Sequence, residues 1–254
     1  MESKVDELRN PDAFMQIGDF VASTFLFSAL CLLGVSIFIL MQLRSVPQRW
    51  KLPVMLSVMV ALITALVTLF RWHYWVSTET NPVEFRFLDW FLTVPLMSVV
   101  FFYLLKPLGV SRWMLPTLFL STLWMLSWGY FGEALQPERS LYWGIMGSLG
   151  LAAIVATIMG VGYPKVLVPG IHPNLRAGYL FLSGYLPVVW SLYPLGYLTV
   201  PGNLLEGAMA PDQVAIMYNL ADIASKAGLA IGVVYVAAKT GDDPLHQPQP
   251  VPAT

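Results

Sequence analysis

Long apolar runs alternate with short polar connections along the whole of this chain. Stretches with almost no charge occupy 20–43, 52–70, 87–105, 113–132, 140–164, 177–202 and 213–238. Each holds about 19–26 residues, enough for a helix to cross ~30 Å of hydrocarbon. A backbone in lipid must satisfy its hydrogen bonds within each crossing segment, so seven such runs predict seven helices gathered into one bundle. The fold class expected is an all-α membrane protein, a seven-transmembrane-helix bundle spanning 14–239. Residues 1–13 form a polar, acidic leading segment, and 240–254 a Pro-rich polar tail expected to be disordered.

Composition agrees with the pattern. Hydrophobic residues make up 57% of the 254 positions and charged residues 11%, a balance that sets aside soluble domains and nucleic-acid binders. The net charge of −1 says little, but the placement of charge says more. Arg44, Arg49 and Lys51 follow the first run, Lys106 and Arg112 the third, Lys165 and Arg176 the fifth, and Lys239 the seventh. The other set of connections carries Glu79, Glu84, Glu138, Glu206 and Asp212, with Arg139 nearly its only base. The positive-inside rule then puts the N-terminus outside and the C-terminus in the cytoplasm of a cell whose inner (plasma) membrane holds the chain. Residues 1–13 lack the basic region and apolar core of a cleavable leader, so the first span is expected to act as its own insertion signal. Cys31 stands alone in mid-span and reads as packing. His172 and His246 fall in a loop and in the tail and receive no role.

Charged side chains inside the runs carry the chemistry. A charge at the centre of a membrane helix costs ~2.5–3.5 kcal/mol, and such residues face the bundle interior. Asp222 and Lys226 share a face of the seventh helix by their i, i+4 spacing, with Tyr218 one turn earlier on that face. Arg86 and Asp89 share a face of the third helix, and Thr93 lies one turn further in. Arg71 and His73 come late in the second helix, and Glu133 ends the fourth. One reading has Asp222 and Lys226 merely neutralising each other, as in a transporter or receptor without a chromophore. The other makes Lys226 an amine nucleophile that condenses with an aldehyde and then needs anionic partners, which the two aspartates supply.

The motifs around these charges resemble those of microbial rhodopsins, closest to the proteorhodopsin and xanthorhodopsin-like group. The resemblance covers residues 14–239 and rests on "RFLDWFLTVPL" (86–96), "GYFGE" (129–133), "VWSLYPLGY" (189–197), "YNLADIASK" (218–226) and "WHY" (72–74). It implies no enzyme but a photoreceptive protein, with all-trans retinal bound covalently at Lys226 as a Schiff base. Asp89 would be the primary counterion and proton acceptor and Asp222 the second member of the counterion. Arg86 would gate the outward path, with Glu133 at the release end, and His73 would hydrogen-bond Asp89 and tune it, with Thr93 beside it. Trp90, Trp190, Tyr193, Pro194, Tyr197 and Tyr218 would surround the polyene, and Met97 falls where the family tunes colour, its apolar side chain implying green absorption. Relatives with a glycine at the place of Gly144 open a window for a carotenoid antenna; a glycine also permits close helix packing, and the sequence leaves both readings open. Partners implied are the lipid bilayer, protons and further copies of the chain in a pentamer or trimer.

One position departs from the family pattern. The carboxylate that usually returns a proton to the Schiff base lies eleven residues past the counterion, and here that position is Val100. The expected activity is a light-driven outward proton pump reprotonated directly from cytoplasmic water, and so favoured at acidic pH. The alternative is a slow-cycling sensory photoreceptor. Both aspartates being present disfavours chloride and inward transport, and the Asp89, Thr93, Val100 triplet is not that of a sodium pump.

Overall fold

The computed structural model describes residues 19–81 and 83–245; the leading segment 1–13 and the tail from His246 onward lie outside the described residues. Seven helical rods follow one another, Phe20–Gln42, Lys51–Thr78, Val83–Leu105, Met114–Tyr130, Ser140–Val166, Pro173–Trp190 and Pro211–Thr240. Each rod packs on the next in sequence, and the seventh closes the ring on the first and second. Five are by length and composition alone apolar enough to cross a membrane. The fourth is 17 residues long before a π turn at Phe131–Leu135. The sixth breaks at Ser191, whose N–H is shared between the carbonyls of Pro187 and Val188, and resumes as Leu192–Tyr197. The seventh is interrupted by a π turn at Ile223–Ala227, the stretch that carries Lys226.

The ends of the rods follow from local chemistry. Asp19 caps the first helix by accepting the Ala22 N–H at 2.8 Å, and its other oxygen accepts Trp75 Nε1–H at 3.1 Å, tying the first helix to the end of the second. The second helix runs two turns beyond the apolar run that predicts it, to Thr78, and stops where Glu79 takes a left-handed conformation at φ 54°. That extension places Arg71, Trp72, His73 and Trp75 in regular helix. Its buried face runs through Ala61, Thr64, Ala65, Thr68, Arg71 and Trp75, at three- and four-residue spacing. The fifth helix lies close on the fourth because Gly150 has no side chain: a Cβ there would sit 2.6 Å from the Ser121 carbonyl oxygen.

The bundle is apolar outside and polar at its centre. Phe20, Phe27, Phe38, Leu66, Phe70 and Val188 are exposed, whereas Arg71, Arg86, Asp89, Asp222 and Lys226 are buried. That inversion suits a lipid surround. Basic residues gather at the end of the bundle where the first, third, fifth and seventh rods finish, and acidic residues at the other; these are called below the basic and acidic ends.

The first residues of the segment 240–254, expected to be disordered, are held by contacts in the structure as far as Leu245. Thr240 is the last residue of the seventh helix. After it, Trp50 Nε1–H donates to the Gly241 carbonyl at 2.7 Å, Arg49 to the Asp242 carbonyl at 2.7 Å and His172 N–H to the Pro244 carbonyl at 2.9 Å, while Ile171 and Leu245 form an antiparallel bridge. Composition suggests a free tail, but donors from two inter-helix loops meet its carbonyls. Replacing Trp50 with Phe keeps the packing and removes one donor, a net loss of about 1 kcal/mol. Amide hydrogen exchange between 241 and 245 should then quicken about fivefold, and an unchanged rate would show that this bond does not hold the segment.

Candidate functional site

At the centre of the bundle the Lys226 ammonium lies between two carboxylates, with Nζ 2.6 Å from Asp89 Oδ2 and 2.8 Å from Asp222 Oδ1. All three side chains are about 1% exposed. The π turn widens the helix at Ile223–Ala227, in the segment that presents Lys226 toward the third helix. Thr64 Oγ1–H donates to Asp89 Oδ1 at 2.7 Å, and Thr93 Oγ1–H donates to the Asp89 main-chain carbonyl at 2.8 Å. Asp222 is more heavily held. Its Oδ1 also accepts Tyr193 Oη–H at 2.9 Å and Trp90 Nε1–H at 3.4 Å, and its Oδ2 accepts Arg71 at 3.2 Å.

The second helix corrects one expectation and fills a gap. His73 does not reach Asp89: its side chain is exposed. The hydrogen bond expected of it is made by Thr64, nine residues earlier. Nine helical residues are about 13 Å of axial rise and half a turn out of phase, so His73 lies further along the helix and on its opposite face. Arg71, two residues before His73, turns inward instead. It is fully buried, pairs with Asp222, donates to Asn219 Oδ1 at 3.3 Å and stands over the Phe25 ring at 5.0 Å. Asn219 is anchored in turn by donating to Thr24 Oγ1 at 3.0 Å. Sequence reasoning left Arg71 without a role. The signal available was its spacing of seven from Thr64 and three from Thr68, which places all three on one face.

Arg86 is fully buried and pairs with Glu133, so the structure joins the two residues assigned to the outward path. Its guanidinium stands 4.7 Å from the Tyr218 ring centre and 5.3 Å from that of Trp90. It makes no hydrogen bond to either aspartate; the cation bonded to the carboxylates besides Lys226 is Arg71. The buried charges therefore fall into two neutral sets. Lys226 and Arg71 balance Asp89 and Asp222, and Arg86 balances Glu133. Breaking a buried pair by removing one member costs ~3–5 kcal/mol, which ties the members of each set together.

Beside Lys226 lies a cavity of about 370 Å³. Trp90, Met97, Trp190, Tyr193, Pro194, Tyr197 and Tyr218 all line it, as the sequence motifs imply, with Phe87, Val94 and Leu126 adding apolar wall. Gly144 also lines it, next to exposed Ile145. A Cβ at Gly144 would come within 2.6 Å of Tyr197 Cε1, so the glycine has a packing reason of its own, namely to admit that ring. Val100 is buried and offers no polar atom. An apolar slot with a single amine in its wall suits an elongated hydrocarbon carrying one carbonyl group.

Comparison with known proteins places this geometry among relatives. A family model of bacteriorhodopsin-like proteins matches residues 20–240. The chain is 31% identical over 235 residues to the blue-light absorbing proteorhodopsin of Gamma-proteobacterium Hot 75m4, covering 89% of each chain. It is 28% identical over 239 residues to the green-light absorbing proteorhodopsin of Gamma-proteobacterium EBAC31A08, with the same coverage. Among solved structures it resembles the blue light-absorbing proteorhodopsin from Med12, with a TM-score of 0.74 at 24% identity over 88% of this chain and 100% of that one. It also resembles xanthorhodopsin, a light-driven ion pump with dual chromophore, with a TM-score of 0.75 at 18% identity over 86% and 92%.

The two faces of the second helix predict opposite outcomes. Thr64→Val leaves a buried carboxylate oxygen without its donor and should lower stability by about 1–3 kcal/mol. His73→Ala should change it by less than about 0.5 kcal/mol, as at other exposed positions. Thermal unfolding of the purified variants checks both, and a larger loss for His73→Ala would place the histidine at the carboxylate after all.

Proposed function

This chain belongs to the bacteriorhodopsin-like family of microbial rhodopsins, and from that premise we propose that it is a light-driven outward proton pump. It is a multi-pass plasma-membrane protein of light-driven proton-pump type rather than an enzyme. The observation that carries the proposal is the Lys226 amine held between two buried carboxylates at the wall of an apolar cavity. All-trans retinal would be held there by Lys226, as a Schiff base through Nζ, and would supply a light-absorbing polyene. Trp90, Trp190, Tyr193, Pro194 and Tyr197 hold the hydrocarbon, and their packing excludes water from Nζ.

Asp89, whose Oδ2 lies 2.6 Å from Nζ of the unmodified lysine, would accept the proton from that nitrogen. The transfer cancels two opposite charges together, which a low-dielectric interior tolerates far better than creating one. Arg86 and Glu133 lie between this centre and the acidic end and take up the released charge there. The return step must draw on the basic end. No Asp or Glu lies in that half of the seven rods among the described residues. Buried polar groups toward that side are hydroxyls, such as Ser98 and Thr122 bonded to each other at 2.8 Å. Hydroxyls relay protons but do not release them near neutral pH. Protons therefore reach Nζ from water at the basic end, in a step first order in proton concentration. The same absence supports the second reading, a slow-cycling photosensor. Gly144 is assigned to admitting the Tyr197 ring, and a carotenoid beside it is the lesser reading.

Two measurements test this. Illuminated cells should acidify their medium, and an uncoupler should abolish the change; alkalinisation would mean inward transport, and no change would favour the sensor. In a flash experiment from pH 5 to 9, return of the proton to Lys226 Nζ should slow about tenfold per pH unit. A return rate indifferent to pH would reveal an internal donor.

A further inference from the structure

We propose that Arg71 decides which of the two aspartates receives the proton leaving Lys226 Nζ, by committing Asp222 to an ion pair and leaving Asp89 as the acceptor. The inference rests on the pump reading above and deepens it.

Distance does not choose between the carboxylates, since Nζ is 2.6 Å from one and 2.8 Å from the other. Their other partners do. Besides the ammonium, the Asp89 carboxylate is held by one hydroxyl, Thr64 Oγ1. A hydroxyl can turn and accept, so Thr64 stays satisfied when Asp89 becomes an acid. Asp222 accepts from the N–H groups of Arg71 and Trp90 as well as from Tyr193. Neither N–H can reverse its role. A proton on Asp222 would also leave the Arg71 guanidinium, fully buried, without its ion-pair partner and hydrogen-bonded only to the neutral Asn219 amide oxygen, over the Phe25 ring. A proton on Asp89 leaves the Arg71–Asp222 pair whole. The Asn219–Thr24 bond keeps Arg71 from following another partner, because it ties the arginine's neutral acceptor to the first helix.

Other charged and titratable groups around the pair do not replace this effect. The seventh rod supplies Lys226 and Tyr218, and the sixth Tyr193. The third supplies Arg86, already paired with Glu133 of the fourth. The first rod, Phe20–Gln42, has no charged residue, and the fifth, Ser140–Val166, has only Lys165 at the basic end. Arg71 is thus a positioning residue that acts through Asp222.

Light-minus-dark infrared spectra of the retinal-loaded protein read the acceptor directly. In the wild type, the carboxylic acid band formed on illumination should shift with Asp89→Glu and not with Asp222→Glu. In an Arg71→Gln background it should respond to either substitution, and Arg71→Lys should restore the wild-type pattern. A band that still answers to Asp89 alone in Arg71→Gln overturns the proposal. A second readout needs no retinal. With Arg71 gone, one ammonium faces two carboxylates, so the folded state takes up a proton that the unfolded chain does not hold. Its stability is then greatest at low pH and falls as pH rises. The unfolding temperature of retinal-free Arg71→Gln should drop by about 5 °C between pH 5 and 8. The wild type and the Arg71→Gln/Asp222→Asn double variant should show no such drop. Equal pH slopes in wild type and Arg71→Gln overturn the proposal even if the single variant takes up no retinal. A wild type that takes up no retinal would refute the pump reading instead, and leave the retinal-free comparison standing.

Discussion

An ammonium group held between two carboxylates in a lipid-enclosed interior is the constraint on which this molecule is organised. Removing a charge from water is costly unless an opposite charge and directed hydrogen bonds meet it. Lys226, Asp89 and Asp222 satisfy that condition only as a group, and Arg71 brings the group to neutrality. The hydroxyl of Thr64, the phenol of Tyr193 and the indole of Trp90 complete the carboxylates' hydrogen bonding. The second, third, sixth and seventh rods each contribute a member, so the polar centre also dictates how those rods are rotated against one another. Lipid cannot do this, because it gains nothing by preferring one apolar face over another.

Irregular backbone occurs where the site needs it. The π turn at Ile223–Ala227 carries the amine, and the one at Phe131–Leu135 carries Glu133 to Arg86. The break at Ser191 separates Trp190 from Tyr193 and Pro194, all three of which line the cavity. A regular helix would repeat side chains every 3.6 residues. A widened or broken turn shifts that phase, and at these places it brings side chains into the interior that a straight rod would direct elsewhere.

The interior is divided along its length. Toward the acidic end lie two arginines with different attachments, Arg71 on Asp222 and Arg86 on Glu133. Within the rods toward the basic end the buried polar side chains are hydroxyls such as Ser98 and Thr122, and Val100 there is buried and apolar. The half toward the acidic end is thus rich in groups that hold charge, and the half toward the basic end is poor in them. In the pump proposed above, that asymmetry would give a displaced proton its direction and leave the return as the step most exposed to the proton concentration of the surrounding water.

The linear order of residues was enough to determine the number of spans, the pairing of Asp222 with Lys226, the inward place of Asp89 and the aromatic wall of the cavity. Those features rest on run length, on i, i+4 spacing and on motifs local to one helix. The rotation of the second helix was not determined in that way. Polar contrast reveals a helix's inner face in water, but in lipid both faces are apolar and the contrast is faint. The sequence motifs therefore turned His73 inward and left Arg71 without a role, and only contacts with the first, third and seventh rods decided that Arg71 and Thr64 face inward while His73 faces out. The docking of residues 241–245 and the fit of Gly144 to the Tyr197 ring were settled likewise by neighbours distant in sequence. Spacing within a helix fixes which residues travel together, and packing between helices fixes what they meet.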